Sequence, residues 1–217
     1  MAAIDNLLPE IRDRAQATED LRRLPDETVK ALDDVGFFTL LQPQQWGGLQ
    51  CDPALFFEAT RRLASVCGST GWVSSIVGVH NWHLALFDQR AQEEVWGEDP
   101  STRISSSYAP MGAGVVVDGG YLVNGSWNWS SGCDHASWTF VGGPVIKDGR
   151  PVGLRQFPDP AQRIRDQGRV VRGRLTWYRQ QHPGGQGCLC APAPVLVVQG
   201  DERPHRGRAG DQQRTCL

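Results

Sequence analysis

Ile104 divides this 217-residue chain into two kinds of sequence. Before it, apolar residues recur three and four apart, the spacing of helices with one buried face. After it, β-branched residues and glycine take over and the alternation falls to a period of two. Helical and stranded halves bury their apolar faces differently. The expected fold class is therefore α+β, with two subdomains packed together.

Within the first half, Ile4, Leu7, Leu8 and Ile11 form one stripe. Pro25 is expected in the first turn of a second helix, where Asp26 and Glu27 suit the positive end. Val29 and Leu32 should face inward, and Gly36 should stop the helix as a C-cap. Phe37 to Leu41 is a short buried segment, closed by Pro43 and the Trp46-Gly47-Gly48 turn. Asp52-Pro53 is an N-cap followed by a first-turn proline. The helix after it should turn Leu55, Phe56, Ala59, Leu63 and Val66 inward. Gly71 to Phe87 is apolar on nearly every side, which predicts a central helix covered by its neighbours. Asp88 caps one more helix, through Trp96, and Trp82 and Trp96 are expected to be packing residues.

The second half is organised around residues 119–138. Gly119-Gly120 predicts a tight turn between two strands. Tyr121, Val123, Trp127 and Trp129 alternate with smaller or polar residues, as on a half-buried strand. Ser130-Ser131-Gly132 follows as a small, hydroxyl-rich bend where a ligand can approach the backbone. Flat aromatic walls beside hydroxyls suit a planar heteroaromatic ligand, although strand tryptophans are most often core residues.

Composition excludes several classes. No apolar run is long enough to span a bilayer, and the N-terminus has no signal-peptide pattern. Six irregularly spaced cysteines fit a reducing cytosol, so a cytoplasmic location is expected. His80, His83, Cys133 and His135 are too loosely spaced to predict a metal site, and nothing marks Cys133 as a nucleophile.

Leu24 to Phe37, then Pro43 and Gly47-Gly48, resemble the N-terminal signature of the acyl-CoA dehydrogenase fold. Ser107-Tyr108-Ala109-Pro110-Met111-Gly112 and Trp127 to Trp138 resemble the two-component flavin-dependent phenol hydroxylases of that fold. The pattern is similar to the branch acting on the phenolic seco-steroid of cholesterol ring degradation. The resemblance covers roughly residues 2–152. It implies a helical domain over 1–100 and the first part of an incomplete β-barrel domain over 101–152.

It further implies an oxygenase component that takes reduced flavin, FMNH2 in preference to FADH2, from a separate reductase. With O2, it hydroxylates a phenol ortho to its hydroxyl. By position in the motifs, Trp72, Ser106, Ser107, Tyr108, Trp129, Ser130 and Ser131 match the flavin-contacting places. Backbone N–H groups of Ser106 to Tyr108 are expected at the pyrimidine edge, and a hydroxyl of Ser130 or Ser131 near the oxygen-bearing edge. Those two serines are the catalytic candidates, because the family's catalytic histidine, in its C-terminal helical domain, has no counterpart here. The intact family is a homotetramer. A true acyl-CoA dehydrogenase relative would instead need a carboxylate base, and a non-enzymatic fragment would act through exposed strand edges.

Past Val152 the family pattern stops. Residues 1–152 hold 11 Lys and Arg against 19 Asp and Glu, whereas 153–217 hold 11 Arg, no Lys and 5 acids. The later stretch has no sustained periodicity, and an irregular, disordered tail is expected there. Shifting the codons for Arg174 to Ala191 by one base, with suitable degenerate choices, spells Gly-Leu-Arg-Gly-Thr-Gly-Ser-Asn-Thr-Leu-Val-Val-Lys-Asp-Val-Phe-Val-Pro. That is the β-domain motif expected next, so the tail reads as a frameshifted product. Its arginines then carry no specific nucleic-acid function, and any such binding would be salt-sensitive. A chain so interrupted is expected to fold poorly and to have little activity of its own.

Overall fold

The computed structural model describes residues 1–117 and 120–161, with two short segments at 188–189 and 197–198. Six α-helices come first: α1 (Ala2–Asp13), α2 (Ala15–Leu21), α3 (Asp26–Asp34), α4 (Pro53–Val66), α5 (Gly68–Leu84) and α6 (Gln89–Trp96). The capping signals act as read. The Asp52 carboxylate accepts from the Ala54 N–H and the Asp88 carboxylate from the Ala91 N–H, each filling an orphan donor of the first turn. Gly36 adopts φ +70°, in the left-handed region that glycine enters at little cost. Pro25 stands one residue ahead of α3, as its N-cap.

Ile4, Ile11, Val29, Leu32, Phe37, Phe56, Ala59 and Leu63 close into the helical core. A buried polar network ties the segment after α3 to α5. The Asn81 amide donates to the Phe38 carbonyl (2.7 Å) and to Gln42 Oε1 (3.1 Å). The Gln42 amide donates to the carbonyls of Trp46 and Pro100, both at 2.8 Å. Carbonyls that leave a helix path without water need such partners.

The strands are β1 (Ile104–Ser107), β2 (Gly112–Val117), β3 (Gly120–Trp127), β4 (Trp138–Lys147) and β5 (Arg150–Pro160). β5 continues past Val152 to Pro160, paired antiparallel with β4 throughout. Along the other edge of β4 lie first β1 and then β2, both parallel to it. β1 and β2 are thus one strand line broken by Tyr108 to Met111. β3 pairs antiparallel with β2, Val117 opposite Gly120; the predicted Gly119 turn lies outside the described residues. Two short strands, β6 (Cys188–Leu189) and β7 (Val197–Val198), pair along β3. The expected disorder of the rest of the tail lies outside the described residues. The sheet is open, and its inner face packs Tyr121, Trp127, Val141, Val145 and Phe157.

A third core joins the two halves. Ile104 and Phe140 from the sheet meet Leu84, Val95 and Trp96 from the helices. Two expectations need correction here. α5 is not covered on all sides, since Trp72 and Trp82 stand half-exposed while Ser74, Val77, His80 and Asn81 are buried. Nor does the strand run to Trp129: it ends at Trp127, and Trp129 turns out of the sheet at φ +66°.

Candidate active site

The two tryptophans of the β3 end have different tasks. Trp127 is core: its indole lies against Gly112 and Gly125, and its N–H donates to the Gly142 carbonyl at 2.7 Å. Trp129 is half-exposed and holds a backbone conformation that residues with a Cβ seldom adopt. The backbone reversal there throws Ser130-Ser131-Gly132 back onto α5. Gly132, at φ +79°, lies so close to the helix that a Cβ would sit 2.5 Å from Val77 Cγ2.

That contact brings the predicted serines to the helix. The Trp72 indole N–H donates to Ser131 Oγ at 3.0 Å. Ser130 Oγ donates to Ser105 Oγ at 3.0 Å. Ser107 Oγ donates to the Asn128 carbonyl at 2.5 Å. Alternate residues of β1 therefore bind the bend, and Ser130 is tied to the strand. Among the described residues β1 pairs only β4, so its other edge keeps backbone N–H groups unladdered.

Tyr108, which opens the break between β1 and β2, lies over Gly142, and the start of β2 at Gly112 lies over Gly143. A Cβ at Gly142 would come 2.3 Å from the Tyr108 carbonyl oxygen. Only glycine allows the break to sit so low, and it leaves Tyr108 46% and Met111 50% exposed; Trp72 (50%) and Trp129 (47%) are exposed to a similar degree. The Tyr108 hydroxyl is 2.8 Å from His83 Nδ1 and hydrogen-bonds Ser106. Burial pushes the Tyr108 hydroxyl up to about 12, a tendency the Ser106 contact opposes. Burial likewise pushes His83 below the usual imidazole range.

The structure thus gathers all seven predicted residues around the junction of α5, β1 and the serine bend. Sequence reading passed over His83 as a contributor and did not single out Ser105 or Met111. The alternation Ser105-Ser106-Ser107 was the signal for the first serine. A cleft of about 570 Å3 elsewhere, lined by Asp26, Lys30, Asp33, Asp99, Arg103 and His135 among others, includes none of the seven. Arg103 crosses that region, paired with Asp33 at 2.7 Å and donating to the His135 carbonyl.

His80 underlies the site. It is 1% exposed, and its Nδ1 lies 2.8 Å from the Ile104 carbonyl, which can only accept; Nδ1 therefore carries the proton. Burial pushes its pKa down to about 4, against the opposing effect of the Ile104 bond and with a contribution from His83. Above the ordinary value of 6.5, neither folded nor unfolded chain is protonated there. Below it, the unfolded chain takes a proton that the folded chain refuses until about pH 4. Stability should fall across that window, by about 3 kcal/mol at its foot. Thermal denaturation against pH checks this, and His80→Gln should flatten the curve over the same range.

An exposed set of aromatic faces with hydroxyl and backbone donors is a donor set that fits an isoalloxazine. Residues 5–99 match the family described as acyl-CoA dehydrogenase, N-terminal domain. The chain is 96% identical over 160 residues to the flavin-dependent monooxygenase oxygenase subunit HsaA of Mycobacterium tuberculosis, covering 74% of this chain and 41% of that protein. It is 68% identical over 173 residues to the HsaA of Rhodococcus jostii, covering 79% and 45%. The crystal structure of the M. tuberculosis HsaA monooxygenase superposes with a TM-score of 0.74 at 93% identity, over 76% of this chain and 45% of that one. The chain thus spans less than half the length of these relatives. Among its described residues no helix is long and apolar enough to cross a membrane. Over the stretch it shares with them, the chain has the acyl-CoA dehydrogenase-like fold and is similar in sequence to flavin-dependent monooxygenase oxygenase subunits.

Proposed function

We propose that the described residues carry one wall of the flavin site of a two-component monooxygenase that hydroxylates a phenol. The observation that carries the reading is the Trp72–Ser131 bond, which holds a hydroxyl on an open face between two half-exposed indoles. Reduced flavin, when bound, supplies the electrons that activate O2 for transfer of one oxygen atom to the substrate ring. The chain's own residues bind and orient. Trp72 and Trp129 offer flat faces, and the free edge of β1 at Ser106 and Ser107 offers backbone donors. Ser131, whose oxygen already accepts from Trp72, keeps its own proton to donate. Ser130 is held inward by Ser105 and fixes the bend.

The phenolic seco-steroid is the substrate class we assign, and a flavin reductase the partner. Reduced FMN is our first choice of flavin. The alternative is FADH2, because a resorcinol hydroxylase oxygenase component of Rhizobium, 38% identical over 143 residues, is FADH2-dependent by name; that match covers 65% of this chain and 35% of that protein. Residues beyond the matched stretch we assign to an out-of-frame reading, which sequencing the gene around the Val152 codon tests directly.

Anaerobic titration with reduced FMN and with FADH2, followed by tryptophan fluorescence, tests the site. Quenching by reduced flavin is expected, with affinity reduced about tenfold in Ser131→Ala, the scale of one hydrogen bond. The exposed-strand variant Leu154→Ala should bind as the parent does. Quenching unaffected by Ser131→Ala would contradict the reading.

A further inference from the structure

The flavin reading uses the backbone of Tyr108 and leaves the paired side chains of His83 and Tyr108 without a task. The break between β1 and β2 lifts Tyr108 out of the strand line, and α5 meets it with two imidazoles. Tyr108 is edge-on to His83 at 5.4 Å between ring centroids and edge-on to His80 at 5.7 Å. Its hydroxyl touches His83 Nδ1 at 2.8 Å, and Ser106 hydrogen-bonds the same hydroxyl. His83 in turn packs on Phe87 and Phe140, which fix its ring plane. The ring is thus held by its neighbours while its own face stays half-exposed.

We propose that Tyr108, backed by His83, accepts the hydroxyl proton of a phenolic ligand bound at this face. The phenol O–H would point at the Tyr108 oxygen, and the Tyr108 O–H at His83 Nδ1. As the ligand's O–H bond breaks, its proton joins the Tyr108 oxygen. The proton that Tyr108 held passes to His83 Nδ1. The products are a phenolate and an imidazolium, with Tyr108 neutral before and after. A phenol ring gains electron density at its ortho carbons as its oxygen gives up the proton, which is what an electrophilic oxygen transfer requires. Tyr108 touches the ligand; His83 acts through it, as a positioning and proton-holding residue.

Burial holds His83 below the usual imidazole range, so it is the ligand anion formed beside Tyr108 that favours its protonation. Tyr108 resists ionisation and so relays rather than stores charge. Among the described residues, the titratable groups facing His83 are Tyr108 and, one turn back on α5, His80, with no carboxylate beside them.

The inference rests on the phenol reading of the site, and its test is separate from flavin binding. The probe is 4-nitrophenol, whose absorption distinguishes phenol from phenolate, added to the full chain below the probe's own pKa. With the parent chain a phenolate band is expected, fading as the pH is lowered and His83 is protonated in advance. Tyr108→Phe, which keeps the ring and removes the relay atom, should abolish the band. His83→Gln keeps an acceptor for the Tyr108 hydroxyl but no basic nitrogen, and should abolish it too. Circular dichroism of each variant establishes that the fold persists. No band with the parent, or an undiminished band in His83→Gln, overturns the proposal. A band without reduced-flavin quenching would sink the flavin site and leave this inference standing; quenching without a band would do the reverse.

Discussion

Phe140→Ala should lower the unfolding free energy of the chain by about 3–5 kcal/mol, the cost of emptying a fully buried aromatic site. Phe140 has no exposed surface. Its ring stacks on Phe87 at 5.3 Å and 12°, lies 4.7 Å from His83 and meets His80 edge-on. It is on β4, opposite Ser106 of β1, so the side chain joins the sheet to α5 and α6. Net stability of a domain is only about 5–15 kcal/mol, and this loss removes a large share of it. The cavity cannot collapse easily, because Ile104 and Trp96 around it are themselves fully buried. Urea denaturation followed by tryptophan fluorescence measures the effect. Leu154→Ala, at a residue 74% exposed on β5, should shift stability by no more than about 0.5 kcal/mol. Equal midpoints for the two variants would mean that the joint does not hold the halves together.

Much of this architecture was legible because local chemistry decides it. Asp52, Asp88, Pro53 and Gly36 mark helix ends through groups within a few residues of one another. The stripe Ile4-Leu7-Leu8-Ile11 needs only helical spacing to find the core. α2 escaped notice because its C-cap, Arg22, takes the left-handed conformation at φ 57° without the glycine that usually signals it. The exposure of Trp82 was misjudged for a different reason. An apolar helix reads as central, yet what covers it depends on elements distant in the chain.

The site shows the same division. Serines and tryptophans at 127–131 announce a ligand-facing bend, but their parting, Trp127 inward and Trp129 outward, follows from the backbone reversal after the strand. The Trp72–Ser131 bond spans 59 residues and His83–Tyr108 spans 25. Neither pair has a spacing to read. Gly142-Gly143 looks like any flexible pair until the Tyr108 carbonyl is seen lying against it.

The second large effect concerns turnover. On the proposed reading the wall built here binds and orients flavin and ligand; among the described residues none is assigned the transfer of a proton to the flavin, a task whose positioned donor contributes on the order of 10²–10⁴ in rate. Water reaching the half-exposed Trp72 and Trp129 would also compete for the donors the flavin needs. The chain should therefore hold reduced flavin weakly and hydroxylate little. The direct test supplies a flavin reductase, NADH, FMN, O2 and a phenolic substrate, with the full-length M. tuberculosis oxygenase subunit assayed in parallel. Catechol formation at least about 100-fold below that of the full-length subunit is the expected result. Turnover by this chain at a comparable rate would contradict the account.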